Sequence, residues 1–379
     1  MSRSVDIVFI INSLSGGGAE RIITLLLDHF QRTQPNLKLA LVTLDNRPDA
    51  YAPPTGVVRY QLFPTRVPRA LHSVLMPVQL LFLIILLRKL QPRTAMSFLL
   101  RSNLLLSATA MFGVQSRIVI SERTLSRQHY KGRLSPVLFF LIRHLYSRAH
   151  AVIAISRAVV SSLVAIGVDK KNIITVYNPV NVNAQAHKDL PSKDLYTRRD
   201  RQKCVHLIAA GRLVEAKGFD ILIRAVAELT PGSVRLDIFG DGPLRNELVS
   251  QSLELGLGEV VALHSWTANL RGEMLKRDVF VLPSRREAFG NVLVEAMAAG
   301  LPVIAFQGSG GPDEILRGGN AGILVPMEDV RSLAGAIDKL RTQPKERDEY
   351  RRRGNERALD FNVESIANEY YDILMASKT

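Results

Sequence analysis

Glu287 and Glu295, with seven residues between them, bracket a Gly290-Asn291 turn just after the apolar run Val279–Pro283. That spacing puts a helix start between the two carboxylates. The N–H groups from Gly290 to Leu293 then project from a helix N-terminus, where a diphosphate can bind. Glu287 would stand on the sugar side of such a phosphate. Glu295, two turns into the helix, could accept hydrogen bonds from ribose hydroxyls. A second segment, Gly211-Arg212-Leu213-Val214-Glu215-Ala216-Lys217-Gly218, also lies between an apolar run and a helical pattern. Arg212 offers a planar fork of donors and Lys217 a point charge. Converging on a diphosphate, they would stabilise the charge that develops as a glycosidic bond breaks. Taken singly, either segment is also an ordinary strand–turn–helix with surface charges. Together they share the carboxyl ends of strands, where open α/β sheets hold ligands.

The elements that must position these residues read as two α/β halves. In the first, Asp6–Asn12 is an apolar strand, followed by Gly16-Gly17-Gly18 and a helical pattern from Ala19 to Phe30. Leu37–Leu44, Thr94–Phe98, Arg117–Ser121 and Ala151–Ser156 are further strands, separated by helix-length segments. Ser156 is placed to cap the helix that follows. The pattern restarts at Val205–Gly211 and continues through helical Phe219–Leu229 and the strands Arg235–Phe239, Val260–Leu263, Val279–Pro283, Val303–Phe306 and Ile323–Val325. From Val330 to Met375 the chain is helical, with breaks near Pro344 and Asn362. Strands alternating with helices predict parallel sheets covered on both faces.

A chain of 379 residues is comfortable for two hydrophobic cores. A single cysteine, Cys204, excludes an internal disulfide framework and a cysteine zinc site, and fits a reducing compartment. The apolar start Val5–Ile11 is short, lacks a basic leader and reads as a first strand, not a secretory signal. Residues 1–180 carry 22 Lys and Arg against 7 Asp and Glu, a balance of +15, whereas residues 181–379 balance at −1. The basic half therefore attracts an anionic partner: nucleic acid, a membrane surface or a phosphorylated acceptor. Within it, Val74–Leu87 runs without a charge but contains Pro77 and Gln79, and Val137–Ile142 is flanked by Lys131, Arg133, Arg143 and Arg148. Neither reaches the ~20 apolar residues of a membrane span. Both read as core-facing helices, or as a surface that dips into a bilayer with its basic flanks on anionic headgroups.

The ordered set G-G-G-A-E-R (16–21), G-R-L-x-x-x-K-G (211–218), F-G-D-G-P-L (239–244), P-S-R-x-E-x-F-G-N-V-L-V-E-A-M-A-x-G-x-P-V (283–303) and G-x-x-G-P-x-E-I-L (308–316) resembles the family-4 retaining glycosyltransferases of the GT-B fold (glycosyl transferases group 1), across essentially the whole chain. The resemblance implies two Rossmann-like α/β domains facing across a cleft: residues 1–181 for the acceptor, a linker 182–203, and residues 204–360 for the nucleotide-sugar. Residues 361–379 would form a helix crossing back to the first domain. It further implies that Arg212 and Lys217, beside Gly211, hold the donor diphosphate and act in catalysis with Glu287. Glu287 would contact donor sugar hydroxyls, with Ala288, Phe289, Gly290 and Asn291 beside it, and the backbone after Gly290, including Val292, would bind phosphate or sugar. Glu295 would bind the ribose, and Trp266 would lie near the base. Gly16, Gly17 and Gly18 would approach the diphosphate and acceptor from the other domain. Many relatives place a His after the strand matching Arg117–Ser121. Here the residues are Ser121-Glu122-Arg123-Thr124, so Glu122 or Arg123 is expected to occupy that space, and His129 reads as a surface histidine. Arg101 and Asn103 either face the same cleft or cap a helix.

The expected activity is retaining transfer of a hexosyl or N-acetylhexosaminyl unit from a nucleoside-diphosphate sugar. The acceptor would be anionic and lipid-linked, in bacterial polysaccharide or glycoconjugate synthesis. The enzyme would be cytoplasmic and peripheral on the cytoplasmic face of the membrane, with no nucleic-acid partner. No cofactor is implied beyond the nucleotide-sugar co-substrate. With no D-x-D sequence present, no metal is implied either. The alternatives are a nucleotide-sugar epimerase on the same fold, a non-catalytic scaffold, and a protein that binds anions or nucleic acid through its basic half.

Overall fold

The computed structural model describes residues 5–63, 72–125, 132–182 and 204–377. His129, Lys131 and residues 183–203 of the expected linker lie outside the described residues. The chain divides into two compact units, Met1–Pro179 with Val363–Thr379, and Val180–Asn362.

Among the described residues, the first unit holds seven strands: β1 (Ile7–Ile11), β2 (Leu39–Thr43), β3 (Val58–Gln61), β4 (Thr94–Phe98), β5 (Arg117–Glu122), β6 (Ala151–Ala154) and β7 (Ile173–Thr175). They form one sheet in the order β3-β2-β1-β4-β5-β6-β7, parallel throughout. Phe9 at its centre pairs with Leu41 on one side and Met96 on the other. Every residue of β1, β2 and β4 is buried, which is why they read as unbroken runs. Among the described residues, the helices that follow these strands are α1 (Gly18–Thr33), α2 (His72–Leu90), α3 (Leu100–Thr109), α4 (Ser135–Tyr146) and α5 (Arg157–Val164). On α1, Ile22, Ile23, Leu26, Leu27 and Phe30 recur at helical spacing and are buried. That helix packs against the C-terminal helix Val363–Met375, whose Ile366, Ala367, Tyr370 and Leu374 join the same core. The Thr94 hydroxyl donates to the Leu374 carbonyl at 2.6 Å, fastening that helix to β4. Ser156 caps α5 by accepting from the Val159 N–H at 3.2 Å. On the layer formed by α2, α3 and α4, α3 packs against both its neighbours.

The second unit holds β8 (Val205–Ala210), β9 (Val234–Phe239), β10 (Val261–His264), β11 (Val279–Leu282), β12 (Val303–Phe306) and β13 (Ile323–Val325). Their order is β10-β9-β8-β11-β12-β13, again all parallel. The helices are α6 (Phe219–Ala227), α7 (Arg245–Glu254), α8 (Leu270–Met274), α9 (Asn291–Ala298), α10 (Gly311–Ile315), α11 (Val330–Thr342) and α12 (Pro344–Ala358). The helical tail breaks at Gln343 and over Leu359–Asn362, where proline and a short turn interrupt the backbone ladder. In each sheet the strand order reverses once, between β1 and β4 and between β8 and β11. Ligands of doubly wound sheets sit outside the carboxyl ends of strands at such a reversal.

Candidate active site

Both motifs of the second unit fall on its reversal. The Gly211–Gly218 segment leaves the end of β8, and Pro283-Ser284 leaves the end of β11, its neighbour. Glycines let these loops touch. A Cβ on Gly218 would stand 1.9 Å from the Pro283 carbonyl oxygen, and a Cβ on Gly240 would stand 1.9 Å from that of Gly211. Any side chain at either position would therefore drive the loops apart. Backbone hydrogen bonds complete the surface. Arg285 N–H donates to the Ala216 carbonyl at 2.9 Å, and Leu213 N–H to that of Asp241 at 2.9 Å. Asp241 in turn accepts from the Trp266 N–H at 3.0 Å, which joins the loop after β10. Glu287 N–H donates to Ser309 at 2.8 Å and its carbonyl accepts from Gly311 at 2.9 Å, joining the loop after β12.

Lys217 and Glu287 meet on this surface as an ion pair, each about one-sixth exposed, and the Ser284 hydroxyl donates to the same Glu287 oxygen at 3.3 Å. An ammonium has three donors, so Lys217 can hold Glu287 and still offer a hydrogen bond to an incoming phosphate. Arg212 is exposed; its carbonyl accepts from the Val214 N–H at 2.9 Å, but among the described residues its guanidinium makes no hydrogen bond or ion pair. Its fork is thus available at the mouth of the same loop. Gly290 takes a left-handed backbone (φ 108°) and opens α9, so that Asn291 and Val292 form the helix's first turn. Glu295 lies on the half-buried side of this helix. Phe289 does not offer its ring to the site. It is buried and meets Phe361 edge-on at 5.6 Å, so the phenyl belongs to the core and only its backbone, with that of Ala288, borders the loop.

Arg285 and Arg286 sit between the motifs, but Arg285 is engaged elsewhere. It pairs with Asp220 at 2.8 Å, with Glu328, and with the Glu215 carbonyl at 2.7 Å. Burial pushes the Asp220 carboxyl up, but the Arg285 hydrogen bonds and charge outweigh it and hold it below the usual range. Spacing gave no sign of this clasp, whose partners are 65 and 43 residues from Arg285. Its effect is to brace the Glu215–Lys217 turn. A cavity of about 130 Å³, lined by Arg317, Arg353 and Arg357 among others, shares no lining residue with these loops. Arg317 and Arg357 both pair there with Asp360.

In the first unit Gly16-Gly17-Gly18 leaves β1 and Arg123 follows β5. Of the four residues expected on the acceptor side, two are withdrawn from any ligand. Asn103 is fully buried: it accepts from the Ser97 hydroxyl at 2.8 Å and donates to the Ser121 carbonyl at 2.9 Å and to the Tyr146 hydroxyl at 3.2 Å. Glu122 is also fully buried, where its carboxyl accepts from Tyr146 at 2.7 Å and from the N–H groups of Arg123 and Thr124 at 2.9 and 3.0 Å. Burial pushes this carboxyl up, against the opposing pull of those hydrogen bonds. Glu122 therefore shapes the turn and does not touch a substrate. Arg101 is tied to Asp45 and mostly buried. Arg123 remains partly exposed, with its guanidinium held by Asn178 and by Ser121 at 3.2 Å and lying 5.5 Å from the Phe98 ring centre. Glu20, on the first turn of α1, was not foreseen as part of this group. Burial pushes its carboxyl up, opposed by a backbone hydrogen bond and by the charge of Arg123. Leu99, between β4 and α3, holds a positive φ of 74°, a strained backbone at this sheet's reversal. Among the described residues, no three His, Cys, Asp or Glu side chains gather as metal ligands.

The family model of glycosyl transferases group 1 matches residues 199–357, and that of glycosyltransferase family 4 matches residues 16–184. Over 371 residues the chain is 27% identical to the N-acetylgalactosamine-N,N'-diacetylbacillosaminyl-diphospho-undecaprenol 4-alpha-N-acetylgalactosaminyltransferase of Campylobacter jejuni, covering 96% of this chain and 98% of that one. It is 37% identical over 173 residues to the lipopolysaccharide core biosynthesis glycosyltransferase LpsE of Rhizobium meliloti, 45% of this chain and 50% of the relative. The fold is similar to that of Anabaena HepE, solved in complex with UDP, with a TM-score of 0.80 at 21% identity over 98% of this chain and 99% of that one. The two parallel-sheet units are thus those of the GT-B class. The chain belongs to glycosyltransferase family 4 and is a glycosyltransferase.

Proposed function

We propose that the enzyme transfers a hexosyl or N-acetylhexosaminyl unit, with retention, from a nucleoside-diphosphate sugar to an anionic, lipid-linked glycan acceptor in bacterial polysaccharide or glycoconjugate synthesis. The observation that carries this reading is the meeting of Lys217 and Glu287 at the β8–β11 reversal, beside the opening of α9 and the unengaged Arg212. The diphosphate lies against Arg212, Lys217 and the first turn of α9, and needs no resident metal to offset its charge. Glu287 binds the sugar hydroxyls and Glu295 the ribose. The bond from the anomeric carbon to the phosphate oxygen breaks as the acceptor oxygen bonds to the same face. The acceptor's proton passes to the departing phosphate. Arg212 and Lys217 stabilise the charge gathering there. Arg123 and Gly16 to Gly18 serve the acceptor or sugar side, Arg123 taking the space where many relatives have a histidine.

A lipid-linked acceptor is supported by the +15 balance of residues 1–180 and by the diphospho-undecaprenol acceptor in the name of the Campylobacter relative. On this reading the enzyme works at the cytoplasmic membrane face, with no nucleic-acid partner. The test is release of nucleoside diphosphate from a panel of UDP-, GDP- and ADP-sugars, with and without undecaprenyl-diphospho-sugar in detergent. NMR of the product gives the anomeric configuration. Acceptor-dependent release with retention supports the proposal. Inversion, or release that ignores the acceptor, contradicts it.

A further inference from the structure

Two helices of the first unit expose the apolar faces that helices normally bury. On α2, the exposed Val74, Val78, Leu81, Phe82 and Ile85 recur at helical spacing, and Leu83, Ile84 and Leu87 fill the buried side. A helix apolar on every face belongs inside a core or against lipid. Yet this one has a solvent face, with Val74 71% and Leu81 56% exposed. On α4, Leu134 just before it and Val137, Phe140 and Leu141 within it form a second stripe, Leu134 being 77% exposed. The two helices flank α3, and the Met111-Phe112 turn that ends α3 is exposed as well. The Arg88 guanidinium donates to the Phe112 carbonyl, so that turn adjoins the end of α2.

Charge says what covers this face. Both stripes run into cations: Arg88 and Lys89 end α2, while Arg133 precedes α4 and Arg143 and Arg148 close it, all exposed. From His72 to His150 the only carboxylate is Glu122, which is fully buried. An apolar stripe flanked by Lys and Arg, in a segment with no exposed acid, fits lipid tails under anionic headgroups. A protein interface also has a polar rim; here the rim is cationic, the sign that anionic headgroups attract. No described helix is long and apolar enough to cross a membrane. We infer that the faces of α2 and α4 form a monotopic docking surface for an anionic lipid bilayer, inserting Leu81, Ile85 and Phe140 to the acyl boundary. This deepens the reading of a membrane-borne acceptor and rests on it for its purpose.

The test is sedimentation of the full-length protein with sucrose-loaded vesicles. These are phosphatidylcholine alone or with about one third phosphatidylglycerol, free of glycan lipid and nucleotide. The wild type is expected to bind the anionic vesicles. Leu81→Glu/Ile85→Glu and Phe140→Glu should weaken that binding about tenfold or more, and raising salt from about 0.1 M to about 0.5 M should weaken it further. The substituted positions are exposed, and unchanged melting curves establish that the variants fold. No wild-type binding to anionic vesicles overturns the inference. Undiminished binding by the variants overturns the assigned face. Equal binding to neutral vesicles overturns the headgroup chemistry. A dimer that the variants abolish, without vesicle binding, gives the face to a second copy of the chain and overturns it too. Vesicle binding that follows the expected pattern in a protein that no nucleotide-sugar stabilises would leave the docking face standing and sink the proposed donor.

Discussion

At the scale of single residues, Lys217 and Glu122 make opposite demands. Lys217 is half of a partly buried ion pair and is ready to share its charge with a phosphate. Charge-assisted hydrogen bonds contribute about 1.5–3 kcal/mol, so Lys217→Ala should weaken nucleotide-sugar binding roughly ten- to a hundredfold, as read by calorimetric titration. Glu122 is buried with its carboxyl pushed up. Its folded state holds the proton more tightly than the unfolded chain, so its contribution is full below the ordinary carboxyl range and declines as pH rises through the raised value. The melting temperature should therefore fall less between pH 5 and pH 8 in Glu122→Gln than in the wild type. Parallel slopes would contradict a raised carboxyl. The sequence made the placement of Arg212, Lys217, Glu287 and Glu295 legible, because each lies in a short motif that follows an apolar strand. It did not reveal that Asn103 and Glu122 are interior. That depends on Tyr146, whose hydroxyl reaches both from the end of α4, and spacing along the chain does not encode it.

At the scale of elements, the site depends on loops that must touch. Gly218 combines a positive φ of 65° with a would-be Cβ 1.9 Å from the Pro283 oxygen. Gly218→Ala should cost about 2–3 kcal/mol and disturb the Lys217–Glu287 pair along with stability. Gly232→Ala is the control: it has a positive φ of 76° but open space around its Cβ. It should lose stability while keeping donor affinity. Equal loss of affinity in both would show that close approach at Pro283 is not what matters. The central strands were legible as apolar runs because both their faces are buried. β3 and β7 were not foreseen. They are short, partly exposed edge strands: β3 reads Val58-Arg59-Tyr60-Gln61, with polar residues among the apolar ones, and the apolar β7 is only three residues long. The basic, greasy α2 and α4 were legible as helices. Whether their apolar residues pointed inward could be decided only once the burial of each face was known.

At the scale of the whole molecule, charge and chemistry are divided between the units. The motifs proposed to hold the nucleotide-sugar belong to Val180–Asn362, whereas the excess of cations and the exposed apolar helices belong to the unit containing Met1–Pro179. The C-terminal helix could be read as a separate final element from its break near Asn362, and it packs on α1 of the first unit. Such a division predicts separable losses: Leu81→Glu/Ile85→Glu should leave donor affinity unchanged, and Arg212→Ala should leave vesicle binding unchanged. Titration of each variant against both ligands checks this, and a shared loss would contradict it. The central claim is that the loops after β8 and β11 hold a nucleoside-diphosphate sugar. It is tested most directly by thermal-shift titration of the wild type, Lys217→Ala and Glu295→Ala against UDP-, GDP- and ADP-sugars. The account predicts that one of these nucleotides raises the melting temperature of the wild type in a concentration-dependent way, and raises that of either variant less. Stabilisation equal in all three proteins, or none by any nucleotide-sugar, would contradict it.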